Sequence, residues 1–186
     1  MPDELTHRIA RPEDAPALAE VMDAAIAELQ RGFLDPAQIA SSRMIMGLDR
    51  QLLLDGTYFI VEAVSEGQGG SRIAGCGGWS RRATLYGGDH TPGRDAALLD
   101  PATEAARVRA MYTHPDFARR GVGRLILELC EAAARAEGFR RVELMATLSG
   151  RALYSQCGYE DIEAIEDARG GAPVPLVRMG KAIAAD

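Results

Sequence analysis

Apolar residues recur along the chain at two spacings, and the switches between them divide it into strands and helices. Residues 6–10 make a short candidate strand. Arg11-Pro12-Glu13-Asp14 then opens a helical stretch in which Leu18, Val21, Met22, Ala25, Ile26 and Leu29 fall on one side. Asp35-Pro36 starts a second predicted helix, with Ile39, Met44, Ile45 and Leu48 as its apolar side. Asp55-Gly56 reads as a turn. Residues 57–64 are rich in β-branched and aromatic side chains and predict a strand. Residues 65–70 predict a hairpin connection to a returning strand at 72–79. Gly75, Gly77 and Gly78 weaken that strand and point to a bulge or a close backbone approach.

Residues 80–103 carry little periodicity and many Gly, Asp and Pro. A connection this long inside a compact fold is usually functional or disordered. A strand follows at 105–113. The strongest helical pattern runs from Gly123 to Gly138, with Leu125, Ile126, Leu129, Cys130, Ala133 and Ala134 as its apolar side. A strand at 141–147, a short helix at 149–157 and two strands at 159–165 and 173–181 complete the pattern. Pro173 and Pro175 place part of the last strand at an edge. With no internal repeat and no dividing linker, residues 1–186 are expected to form a single domain.

Composition narrows the class. The chain is 47% hydrophobic and 26% charged, ordinary for a globular protein, and its net charge of −6 argues against a nucleic-acid partner. No apolar run has the length of a membrane span, and the charged start MPDELTHRIARPED lacks the core of a secretion signal. Cys76, Cys130 and Cys157 are far apart without CxxC spacing. They fit a reducing cytoplasm and argue against a metal site or a disulfide framework.

The candidate chemistry sits in Arg119-Arg120-Gly121-Val122-Gly123-Arg124, where a strand ends and the long helix begins. A helix start offers unpaired backbone N–H groups and the positive end of the macrodipole. Glycines allow close approach, and arginines add forked donors suited to phosphate. The string is not a P-loop, which needs a Gly-Lys-Ser/Thr ending. It is not a dinucleotide fingerprint either, because Ile126 stands where the third glycine belongs. The stretch from His114 to Leu125 instead resembles motif A of the GCN5-related N-acetyltransferase family, in which [RQ]-x-x-G-x-[GA] opens a helix. Ala152-Leu153-Tyr154-Ser155-Gln156-Cys157-Gly158-Tyr159 resembles that family's second segment, and the order of elements is similar over nearly the whole chain. Two departures stand out: Ala118 occupies the first motif position, and Ser149 replaces a common Asn at the start of the penultimate helix.

The resemblance implies an α/β fold with a mixed, mostly antiparallel central sheet flanked by helices. It implies acetyl-CoA as donor co-substrate and an amine acceptor as partner. The pyrophosphate would lie on the backbone of Arg119, Arg120, Gly121, Val122, Gly123 and Arg124. The pantetheine arm would pair with the strand backbone at Met111, Tyr112 and Thr113. It also implies Tyr154 as general acid to the departing thiolate; for an isolated tyrosine, a core role would be the better reading. Four residues are candidates for the base, each with a plainer alternative: Glu104 as a solvated loop residue, Glu143 as a polar strand face, His90 as a turn residue and His114 as a cap beside Pro115. A water chain is a further route. The 80–103 connection is either an acceptor-binding loop with aromatic surface from Trp79 and Tyr86, or a surface extension or subunit contact. Cys157 and the methionines Met44, Met46, Met111 and Met145 read as packing residues.

These expectations describe a cytoplasmic N-acetyltransferase acting by direct transfer, without metal, nucleic acid or membrane. The acidic net charge mildly favours a cationic acceptor. Two rivals stay open: a non-catalytic acyl-CoA-binding module, and an acyltransferase with another acyl donor or a hydroxyl acceptor. Pairing of the last strands between subunits would give a homodimer.

Overall fold

The computed structural model describes residues 4–64 and 70–183. The hairpin connection expected at 65–70 lies outside the described residues except for Gly70. Among the described residues, the strands are β1 (Glu4–Ile9), β2 (Tyr58–Val64), β3 (Ser71–Ser80), β4 (Ala106–Thr113), β5 (Arg141–Thr147), β6 (Glu160–Asp167) and β7 (Val174–Ala182). They form one sheet in the order β1-β2-β3-β4-β5-β7-β6. Neighbours run antiparallel except β4 and β5, which run parallel. The helices are α1 (Ala15–Leu29), α2 (Pro36–Ser42), α3 (Arg50–Leu54), α4 (Val122–Ala136) and α5 (Leu148–Gln156).

Strand alternation sends side chains to two cores. Tyr58, Ile60 and Cys76 face α1 and α3, whose Leu18, Val21, Met22, Leu52 and Leu53 are buried against them. Val61, Ala63, Ala74 and Val108 face α4, against Ile126, Leu127, Cys130 and Ala134. A third, smaller cluster joins Leu34 and Ile45 to Val174 and Leu176 of β7. The apolar side of α4 departs from the sequence reading, because Glu131 is buried in it. The Glu131 carboxylate accepts from the Tyr159 hydroxyl (3.0 Å) and from Lys181 Nζ (2.8 Å), which makes its burial tolerable.

The second expected helix is shorter than its apolar spacing suggests. It stops at Ser42, and Gly47 (φ +138°) turns the chain so that Ile45 drops into the third cluster. Asp49 then caps an unforeseen helix, α3, by accepting from the Gln51 backbone N–H (3.0 Å). The glycines of β3 answer to close packing. A Cβ at Gly75 would stand 2.5 Å from Val122 Cγ1, and one at Gly77 would stand 2.7 Å from Ile126 Cγ2. Their absence lets the start of α4 lie against the sheet. At one edge, β6 carries exposed Glu160, Asp161, Glu163 and Glu166, a charged rim that discourages pairing by a further strand.

Candidate active site

The parallel pair β4–β5 defines the site. Its register contains Ala106 opposite Val142 and Arg107 opposite Glu143, and then the pairing ends. Beyond that point the strands diverge toward their carboxyl ends, the side of an α/β sheet where ligands characteristically bind. A bulge in β4 accompanies the divergence. Cys76 of β3 faces Tyr112 and Gly78 faces Arg109, so Ala110 and Met111 stand opposite Gly77 alone. Ala110 takes a positive φ of 50°, uncommon for a residue with a side chain. The Tyr58 hydroxyl donates to the Ala110 carbonyl at 2.6 Å, in a part-buried position beside the cavity. Gly78 lets the Tyr58 ring pass, since a Cβ there would stand 2.7 Å from Tyr58 Cδ2.

A cavity of about 80 Å³ occupies the divergence. Met111 and Tyr112 line it from β4, Met145 and Thr147 from β5, and Tyr154 from α5. Ile45, Met46 and Gly47 close it on one side, and Leu85, Tyr86 and Gly87 on another. The Tyr112 hydroxyl accepts from the Gly47 N–H at 2.9 Å, tying the 45–47 segment to β4. Tyr154 is buried and packs edge-on to Tyr159, with ring centroids 6.0 Å apart. Its hydroxyl has no hydrogen bond among the described residues. Burial pushes its phenol well above the ordinary tyrosine range, so it keeps its proton.

The turn expected to hold phosphate opens α4 close to Tyr154. Gly121 is the N-cap in left-handed conformation (φ +85°) and supplies no side-chain cap, so the first N–H groups of α4 lack that partner. Arg119 also takes a positive φ of 62°. Arg119, Arg120 and Arg124 are exposed, and Arg120 lies over the Phe117 ring (5.5 Å to the centroid). Arg119 and Arg124 have no hydrogen-bond or ion-pair partner among the described residues. Val122 is buried and Gly123 abuts α5, where an added Cβ would stand 2.6 Å from Leu153 Cδ2. The turn and the helix carrying Tyr154 are thus in contact. Thr113 pairs with Gly75 at the end of β4 and leads into the turn.

None of the four candidate bases lines the cavity. Glu104 is exposed and accepts from the Asp100 N–H (2.7 Å) in the turn before β4, at the strand's opposite end. Glu143 is held by two guanidinium groups, Arg107 (2.6 Å) and Arg178 (2.5 Å), where β4 and β5 still pair. His114 accepts from the Asp116 N–H (3.2 Å) and caps the turn at Pro115, and His90 Nε2 lies 2.6 Å from the Arg43 carbonyl. Among the described residues, no carboxylate or imidazole lines the cavity. Among them no group of three or more His, Cys, Asp or Glu is placed to hold a metal ion. Burial pushes the Cys76 thiol up to about 12 and raises Cys130 as well, so neither is a nucleophile. Cys157 is half-buried against the core, as its reading as a packing residue expects.

The 80–103 connection folds on itself and is fastened to the body through Arg109 and Asp49. Ala83 N–H donates to the Ala97 carbonyl (2.9 Å), and Leu99 N–H donates to the Arg81 carbonyl (2.8 Å). Arg109, buried in β4, reaches the carbonyls of Gly87 (2.6 Å) and Thr84 (3.2 Å) and the Asp49 carboxylate (2.9 Å). Arg94 of the connection meets the other Asp49 oxygen at 2.7 Å. Burial lowers the Arg109 pKa and Asp49 opposes the shift. Trp79 provides no surface to an acceptor: it is buried edge-on against Phe139, where the alternation of β3 points it into the core. Tyr86 does line the cavity, and its hydroxyl donates to Asp167 at 2.7 Å. Arg169 holds the Asp167 carboxyl down to about 2. Asp49 and Arg109 left a trace in the sequence: an arginine within an apolar strand, and an acid before Leu52-Leu53-Leu54. Asp167 left none.

This mixed seven-stranded sheet is shared with solved N-acetyltransferase structures. A GCN5-related N-acetyltransferase from Rhodopseudomonas palustris superposes with a TM-score of 0.68 at 19% identity, covering 98% of each chain. The ribosomal-protein-S18-alanine N-acetyltransferase from Escherichia coli gives 0.60 at 14% identity, covering 98% of this chain and 96% of the other. The PaiA N-acetyltransferase from Thermoplasma acidophilum, in complex with coenzyme A, gives 0.60 at 14% identity, covering 96% and 99%. No curated protein sequence matches the chain. The family model described as an acetyltransferase (GNAT) domain matches residues 55–161. The chain belongs to the GNAT acetyltransferase family. No helix of the described residues is long and apolar enough to cross a membrane.

Proposed function

We propose that the protein transfers an acetyl group from acetyl-CoA directly to a primary amine of a small molecule or peptide. The observation that carries this reading is that Tyr154 lines the cavity beside the diverging β4 edge, on a helix that the uncapped start of α4 touches through Gly123 and Leu153. The backbone N–H groups from Arg119 to Arg124, with Arg119 and Arg124 beside them, fit a pyrophosphate. Met111, Tyr112 and Thr113 supply the strand edge along which an extended arm can pair, and a β4 N–H there is placed to polarise a thioester carbonyl.

In the transfer, the amine nitrogen forms a bond to the carbonyl carbon and the carbon–sulfur bond breaks. Tyr154 gives its proton to the leaving thiolate, the amine's surplus proton leaves through water, and a proton from water restores the phenol. A water route suits a cavity that no carboxylate or imidazole lines among the described residues. The experiment is an acceptor screen with acetyl-CoA that reads free thiol, alongside calorimetric binding of acetyl-CoA and longer acyl-CoAs. Thiol release dependent on an amine supports the reading. Tight coenzyme binding with no release on any acceptor would favour a non-catalytic acyl-CoA module, and loss of binding to every CoA would remove both.

A further inference from the structure

Resting on the acetyl-transfer reading, we propose that the acceptor is an apolar or aromatic monoamine, and that diamines and polyamines are excluded. One side of the cavity is built by the third apolar cluster. Ile45, Met46, Tyr86, Met145 and Leu176 belong both to that cluster and to the lining, and Leu85 adds a further apolar side chain. Among the described residues, the titratable groups of the lining are Tyr86, Arg109, Tyr112 and Tyr154, none of which carries negative charge at neutral pH.

The carboxylates that touch lining residues are both neutralised. Asp49 meets Arg109 at 2.9 Å and Arg94 at 2.7 Å. Asp167 is held by Arg169 and accepts the Tyr86 hydroxyl at 2.7 Å. A cation entering the cavity therefore meets no unpaired anion. For a monoamine this is an advantage, since an apolar lining disfavours the ammonium and promotes the neutral nucleophile that attacks the thioester. A second ammonium on the same molecule has no such exit and would be desolvated without a partner. The acidic net charge of the chain, which taken alone favours a cationic acceptor, is not expressed at this surface.

The test compares kcat/KM for 2-phenylethylamine and hexylamine with that for putrescine and spermidine, using acetyl-CoA and reading free thiol. The monoamines are expected to be better by at least about tenfold. Met46→Glu and Leu85→Glu each place a carboxylate in the lining and are expected to move the ratio toward the diamines. Circular dichroism and acetyl-CoA affinity report whether each variant is folded. Equal or better turnover of putrescine or spermidine by the unmodified protein overturns the inference and leaves the transferase reading standing. Thiol release that rises with acyl-chain length of the donor, with no preference among amines, assigns the apolar lining to the donor and also overturns it. Acetyl-CoA binding with no transfer to any amine removes the transferase reading, and the inference with it.

Discussion

The Tyr58 hydroxyl and the Ala110 carbonyl are joined across the sheet at 2.6 Å, with the ring crossing β3 over Gly78. This bond holds β4 at its bulge, at the residue of positive φ, beyond the point where its pairing with β5 has ended. Tyr58→Phe leaves a part-buried carbonyl without its donor, at a cost of about 1 kcal/mol. Urea denaturation should show that loss, and acetyl transfer should fall by more than the folded fraction does. Unchanged stability and turnover would mean that the bulge is held by strand geometry alone.

Tyr154→Phe removes the proposed proton donor and keeps the ring's packing against Tyr159. Turnover is expected to fall by about 10²-fold or more, with acetyl-CoA affinity within about twofold of the original. Burial raises the Tyr154 phenol, so the original enzyme should show no decline in kcat from this group up to about pH 10. An alkaline limb near pH 8 that vanishes in Tyr154→Phe would contradict the raised phenol while keeping Tyr154 as the acid, whereas unchanged turnover in Tyr154→Phe would remove the acid role.

Arg119 and Arg124 stand exposed at an uncapped helix start, where a phosphate would gain both charge and backbone donors. Replacing both by Ala should weaken acetyl-CoA about tenfold, and the loss should shrink at high salt. Affinity for a pantetheine thioester lacking the pyrophosphate should stay the same. Equal loss for both ligands would place the effect in the fold of α4.

Asp167 carries a pH signature. Its carboxyl is lowered from the ordinary 3.8 to about 2, first through hydrogen bonds from Arg169, so the folded state favours the ionised form. That stabilisation is present in full above about pH 5 and is lost as the pH falls through about 2. It amounts to roughly 2 kcal/mol. Denaturation midpoints of the original and of Asp167→Asn, taken between pH 7 and pH 2, should converge toward the acid end. A gap that does not change with pH would show that the substitution costs packing and hydrogen bonds alone.

The elements that were legible in the sequence are those whose period is local. The α4 pattern and its Gly121-Val122-Gly123 start, the β5 run and the segment around Tyr154 all appear where their residues predict. The β3 glycines pointed to close approach, and Val122 and Ile126 are what approaches. The misses have a common cause, in that they depend on what lies across space. Met44, Ile45 and Leu48 keep helical spacing, yet Gly47 turns the chain and Ile45 packs under β7. Glu143 and Glu104 are acids of the right type that the fold keeps out of the cavity. Trp79 could belong to a loop or a core until the register of β3 sets its side. The apolar lining joins residues 45 and 176, a separation that no local pattern spans.

Glu143 has a different importance from the one its residue type suggests. It accepts from Arg107 on β4 and from Arg178 on β7, at the last rung where β4 and β5 are joined. The sheet is in effect two leaves, β1 to β4 and β5 to β7, sharing a spine two rungs long. A single carboxylate rivets that spine from both sides. Where the two leaves part, one carboxylate is the side chain that ties both to each other.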